Sequence, residues 1–260
     1  MPVAPASQPI TWLVASIIVA IAAGSATWLA LRRRFDDATF AHGPMGALGW
    51  SATALFHLLP PLLAIRYGVL STRDLGLNGI DWQRTLSGGL MLSVLLAGGM
   101  LAGWLLYRRS LPQGEATSGL PRLLAIVRAP VDALLHQWHW AFYRAAAAAA
   151  LALLPLRAPE WAPLGYAVDI IRGDPIYWGA WLGLAAIGIE WALNPFNRAS
   201  FRRPQLRETV LRRAALAVAT TGLFILTHNL WLCWAVHLVV ELLAEASFPL
   251  PIQRVDDADR

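Results

Sequence analysis

Seven stretches of mostly about twenty residues, each largely apolar, divide this chain: positions 10–31, 44–65, 86–107, 130–154, 176–193, 214–226 and 230–246. A helix of roughly 20 residues rises about 30 Å, the thickness of a bilayer's hydrocarbon core, so each run is a candidate crossing. The sixth run is short, which predicts a tilted or incomplete crossing. Of the 260 residues, 57% are hydrophobic and only 14% charged, with a mean hydropathy of +0.50, an excess that a soluble domain has no use for. The expected fold is all-α: a polytopic transmembrane helical bundle of about seven spans. It forms one domain over 1–250, followed by a short acidic tail over 251–260.

Charge sets the expected orientation. All 21 basic residues are arginine. With seven spans, the first, third and fifth loops hold three, four and six arginines and the tail two. The second and fourth hold three and two, and the sixth none. Basic residues stay cytoplasmic, which predicts an outer N-terminus and a cytoplasmic C-terminus. The expected location is a bacterial inner membrane. The net charge of +5 then meets anionic membrane lipid. No basic and aromatic interleaving points to nucleic acid. The first run is too long for a cleaved leader and ends on Arg32-Arg33-Arg34, a stop-transfer flank. One cysteine, Cys233, excludes an internal disulfide and reads as a small buried side chain.

Eight ionisable groups fall within these runs: His57, Asp132, His136, His139, Arg144, Glu190, His237 and Glu241. Such groups avoid lipid, so they should face the bundle interior. His237 and Glu241, four apart, leave one helix on the same face. In the fourth run, Asp132, His136, His139, Trp140, Tyr143 and Arg144 occupy a sector of roughly 140°, predicted to face the seventh run. Glu245, at the end of that run, should reach the interface without a partner. His57 precedes Pro60-Pro61 and reads as a kink residue bonded to freed carbonyls. Gly88-Gly89, Gly98-Gly99 and Gly103, like the alanines of 145–150, should serve close helix packing.

A polar chamber at membrane depth admits several chemistries. His237 and Glu241, with His136 or His139, form a ligand set for zinc or another divalent metal, leaving Asp132 or Glu190 as general base. Two opposed histidines would equally suit haem or a pigment. A self-satisfied network that only locks the bundle is the third reading.

The segment GLFILTHNLWLCWAVHLVVE, Gly222 to Glu241, resembles the closing helices of the CPBP family, which contains CAAX prenyl proteases and bacteriocin-processing enzymes. There a Leu-Trp turn precedes a His-x-x-x-Asn motif, matched by Leu230-Trp231 and His237, with Glu241 in place of Asn. The linker Leu70-Ser-Thr-Arg-Asp-Leu-Gly-Leu77 resembles the family's Leu-Gly-Leu element. The Glu-Glu-x-x-x-Arg motif is matched at Arg144, with His139 and Trp140 where the glutamates belong. The Phe-x-x-x-His motif fits Ile187 to Trp191, with Trp191 for His and Glu190 beside it. Phe224 to His228 spells that motif literally but falls in a turn in the better register. The resemblance implies a seven-span CPBP-like bundle and intramembrane proteolysis of a membrane-anchored or prenylated peptide. Its site residues carry over to Asp132, His139, Arg144, Glu190, His237 and Glu241. Loss of the paired glutamates implies altered or impaired catalysis, or a noncatalytic scaffold of the same fold.

Overall fold

The structure, a computed structural model, describes residues 8–31, 44–109, 122–153 and 173–246. The acidic tail, Arg32 to Arg34 and His42 lie outside them. The described residues are helical apart from short turns, with no strand. The helices are α1 (Gln8–Leu31), α2 (Pro44–Arg66), α3 (Leu90–Arg109), α4 (Arg122–Leu153), α5 (Pro175–Leu193), α6 (Pro195–Arg202), α7 (Pro204–Thr227) and α8 (Leu230–Ala246). One helical turn, Trp82–Arg84, and a wider π-helical turn, Thr85–Gly89, lead into α3.

Among the described residues, four segments are long and apolar enough to cross a membrane: Gln8–Leu29, Thr85–Arg109, Pro175–Leu193 and Leu206–Thr227. The outer surface is apolar on the other helices too, with Leu55 on α2 and Val127 on α4 more than half exposed. The sixth run is not short. Its helix begins at Pro204, because Pro195 and Pro204 each open a helix rather than a loop. The expected fifth loop is therefore α6 plus the first turns of α7.

α4 is the hub, packing against α5, α8, α2 and α1. Its 32 residues rise roughly 48 Å, more than a bilayer core requires. Ala141, Phe142, Tyr143 and Ala146 are fully buried along it. Gly179 and Gly183 of α5 let the two backbones meet: a Cβ at Gly179 would strike Ala148, and one at Gly183 would strike the backbone of Tyr143 and Arg144. The alanine run thus packs closely, as expected. The glycines of α3 do not: a Cβ at Gly98, Gly99 or Gly103 meets open space; in the π-helical turn before it Gly88 does too, whereas Gly89 lies against Thr227 and Leu232.

Side-chain caps start α5, α6 and α8. Asp174 accepts from the Tyr177 N–H at 2.9 Å, and Asn194 from Phe196 at 3.0 Å. Asn229 accepts from Trp231 at 2.9 Å and Leu232 at 3.2 Å, turning the chain from α7 into α8. His228, with φ 48°, is the exposed residue of that turn. The linker after α2 docks beneath it: the Gly76 carbonyl accepts from the Leu230 N–H at 3.0 Å, and the Trp231 indole donates to the Leu77 carbonyl at 3.1 Å. Gly76 has φ 74° and lies against Phe224 and the His228 carbonyl, so no other residue suits that place.

Candidate polar chamber

Two buried networks meet on α4. On one side, His139 Nε2 lies 3.2 Å from Glu190 Oε2, and the Tyr143 hydroxyl donates to the same oxygen at 2.7 Å. Ser16 of α1 adds a hydroxyl 3.4 Å from that of Tyr143. His139 and Glu190 are 2% and 6% exposed, so neither head reaches lipid or bulk water. The carboxylate fixes which imidazole nitrogen carries hydrogen: Nε2 donates to Glu190, leaving the lone pair on Nδ1. Among the described residues Nδ1 has no hydrogen-bond partner.

On the other side, Gln137 Nε2 donates to Thr220 Oγ1 at 3.1 Å and faces His237 Nδ1 at the same distance. His237 Nε2 lies 3.7 Å from Glu241 Oε1, so the i,i+4 pair does form. Glu241 is held chiefly by Arg212, whose Nη2 and Nε donate to Oε2 at 2.7 and 3.1 Å. Arg212 also lies 3.6 Å from Glu245. The expectation that Glu245 needs no partner is therefore corrected, and Arg144 is not the only arginine at membrane depth.

Imidazole rings join the networks. His57 lies 4.8 Å from His139 and 4.9 Å from His136 by ring centroids, and His136 lies 5.8 Å from His237. Trp140 stacks on His237 at 5.4 Å and 15°. His57 and His136 are half-buried, whereas His139 and His237 are buried. His57 bonds the Thr53 carbonyl at 2.7 Å, one turn back, rather than a carbonyl freed by proline.

The predicted site residues do not all converge. His139 and Glu190 do, as do His237 and Glu241. Asp132 turns away: its carboxylate accepts from the Trp50 indole at 2.8 Å and lies 3.7 Å from Arg128, and only its backbone carbonyl meets His136. Asp132 is thus unsuited to act as general base. Arg144, 1% exposed, donates to the Thr220 carbonyl at 3.2 Å, with its guanidinium carbon 4.5 Å from the Phe224 ring centroid. It braces α4 against α7 and makes no ion pair among the described residues. Cys233, fully buried, donates to the same carbonyl at 3.3 Å, as a packed thiol should.

The expected metal set of His136, His139, His237 and Glu241 does not gather around one point. His139 is engaged by Glu190 and Glu241 by Arg212, and no three His, Cys, Asp or Glu side chains among the described residues are placed to hold an ion. As built, these residues do not fit a metal. The contacting rings of His57, His136 and His139 also leave no plane between them for a macrocycle.

Arg212, Gln137 and Thr220 belong to the networks but escaped the sequence reading, and His57, read as a kink residue, joins them through its ring contacts. Arg212 looked like loop charge, and Gln137 and Thr220 carry no charge to mark them. Comparison with family models, curated proteins and solved structures finds no match to this chain.

Proposed function

We propose that this chain is a CPBP-like intramembrane hydrolase of about seven spans in a bacterial inner membrane. Its N-terminus lies outside, and it cleaves a membrane-anchored or prenylated peptide with a histidine base. The observation that carries the reading is the buried His139–Glu190 pair, 3.2 Å apart, with His139 Nδ1 unpartnered. His139 stands where the CPBP motif has a glutamate, and Glu190 stands beside the motif's histidine position. An acid and a base are thus still paired across α4 and α5, with their places exchanged. The contact of Leu-Gly-Leu with Leu-Trp, through Gly76 to Leu230 and Leu77 to Trp231, supports the same likeness.

In this mechanism His139 Nδ1 takes a proton from water as the oxygen attacks the peptide carbonyl carbon. The imidazolium, held by Glu190 and Tyr143, returns that proton to the amine as the C–N bond breaks. The products are a carboxylic acid, which passes its proton to the released amine to leave a carboxylate and an ammonium, and the base is regenerated. His57 and His136 lie beside the base, with the His57 ring 4.8 Å from that of His139 and 4.9 Å from that of His136. The His237–Glu241–Arg212 network sets the position of α8 behind Trp140.

The test is hydrolysis of internally quenched farnesylated peptides by the protein in proteoliposomes. The wild type should cleave, His139→Ala should not, and Glu190→Gln should lower kcat by about 10² to 10⁴ while leaving KM near its original value. Wild-type turnover no greater than that of a folded His139→Ala variant overturns the proposal. That result would favour the noncatalytic scaffold, which the closed Arg212–Glu241 ion pair already suits.

A further inference from the structure

A cleft of about 370 Å³ lies away from the histidines, between the end of α5, the whole of α6 and the start of α7. Its floor is apolar: Trp191 and Ala192 from α5, Val210, Leu211 and Ala214 from α7, and Phe201 from α6. Arg198 and Arg202, one turn apart on α6, line the same cleft and are both exposed. The two adjoining apolar segments, Pro175–Leu193 and Leu206–Thr227, stop here, so the cleft straddles the boundary between hydrocarbon and headgroups.

We infer that this cleft is a binding site for one anionic glycerophospholipid, a site independent of the hydrolase reading. Charge and position identify the occupant. Guanidinium forks match a phosphodiester's oxygens, and a pair of them one helical turn apart can grip a single phosphate from one side. The apolar floor receives the acyl chain. Leu211 of that floor is itself exposed, as are Leu193 and Leu206 at the facing ends of α5 and α7. The volume lies in the range of specific small-molecule sites, larger than a mere packing defect. Basic pockets between membrane helices on the cytoplasmic side take anionic headgroups, and the expected fifth loop, 194–213, which contains α6, holds more arginines than any other loop. Asn194 fixes the connector: it caps α6 and donates to the Ala20 carbonyl of α1 at 3.4 Å, so the arginines are carried on an anchored helix.

Native mass spectrometry of the full chain in neutral detergent, titrated with phosphatidylglycerol or phosphatidylcholine, tests this. The expected result is one retained phosphatidylglycerol, bound at least about tenfold more tightly than phosphatidylcholine. Arg198→Ala/Arg202→Ala should abolish that preference, and Ala214→Phe, which fills the floor, should weaken both lipids. Arg109→Ala, a charge removed from the end of α3, should change nothing. The inference is overturned by equal wild-type affinities, by undiminished preference in the double alanine variant, or by an equal loss in Arg109→Ala. Arg198→Lys/Arg202→Lys, keeping charge but losing the fork, should bind at an intermediate level. Its binding stays informative if the alanine pair unfolds.

Discussion

With its guanidinium 2.7 Å from Glu241 and 3.6 Å from Glu245, Arg212 holds two carboxylates that α8 carries inward. Removing one member of a buried pair leaves the other desolvated and uncompensated, which costs about 3–5 kcal/mol. Arg212→Met should therefore lower the unfolding temperature of the detergent-solubilised protein sharply. Arg212→Met/Glu241→Leu should recover part of the loss, because the closer pair is then gone while Glu245, 3.6 Å from Arg212, still loses a partner. A double variant no more stable than the single one would show that the pair is not what joins α7 to α8. Gln137 is the neutral counterpart. Replacing it by Leu leaves Thr220 and His237 each short of a partner and should cost about 1–3 kcal/mol by the same measurement. Sequence inspection readily picks out charged groups in apolar runs, as it did His139, Glu190, His237 and Glu241. Gln137 and Thr220 are polar without charge, and such residues are common in helices, so only their burial and distances reveal their part.

Between helices, the decisive contact is α4 on α5. Gly179 and Gly183 have no room for a side chain against Ala148, Tyr143 and Arg144, and the same closeness brings Glu190 within reach of His139. Gly183→Leu should push α5 away, cost about 1–3 kcal/mol in stability and abolish hydrolysis. Gly98→Ala and Gly103→Ala, facing open space on α3, should leave activity intact and hold or slightly raise the unfolding temperature. The sequence showed glycines in both helices and could not tell which were used, because a small residue packs closely only where a neighbour approaches. Helix starts were more legible. Pro195 and Pro204 fall in the expected fifth loop, yet they open helices because proline at a first turn gives up no hydrogen bond.

For the molecule as a whole, the number of crossings decides where the chamber lies. A seven-span arrangement puts Asn78 outside and Arg109 and Arg198 together in the cytoplasm, since α4 and α5 cross in succession between the last two. Single cysteines at these exposed positions, in a Cys233→Ser background, should react with an impermeant maleimide from the outside only at Asn78. Labelling of Arg109 and Arg198 positions from opposite faces would mean that α4 does not cross. The apolar runs alone determined that this chain is helical and made for a bilayer, since a backbone in hydrocarbon must satisfy its own hydrogen bonds and the helix does so locally. They also marked which charged groups must turn inward. Which inward groups meet was decided only by tertiary packing. Asp132 and Glu190 are equally acidic in the sequence, yet one pairs with Trp50 near the rim and the other with His139 in the core. Helical periodicity gives a side chain's direction around its own axis, but its partner depends on the rotation and approach of a second helix. That is set by where Gly179 and Gly183 allow α5 to touch α4.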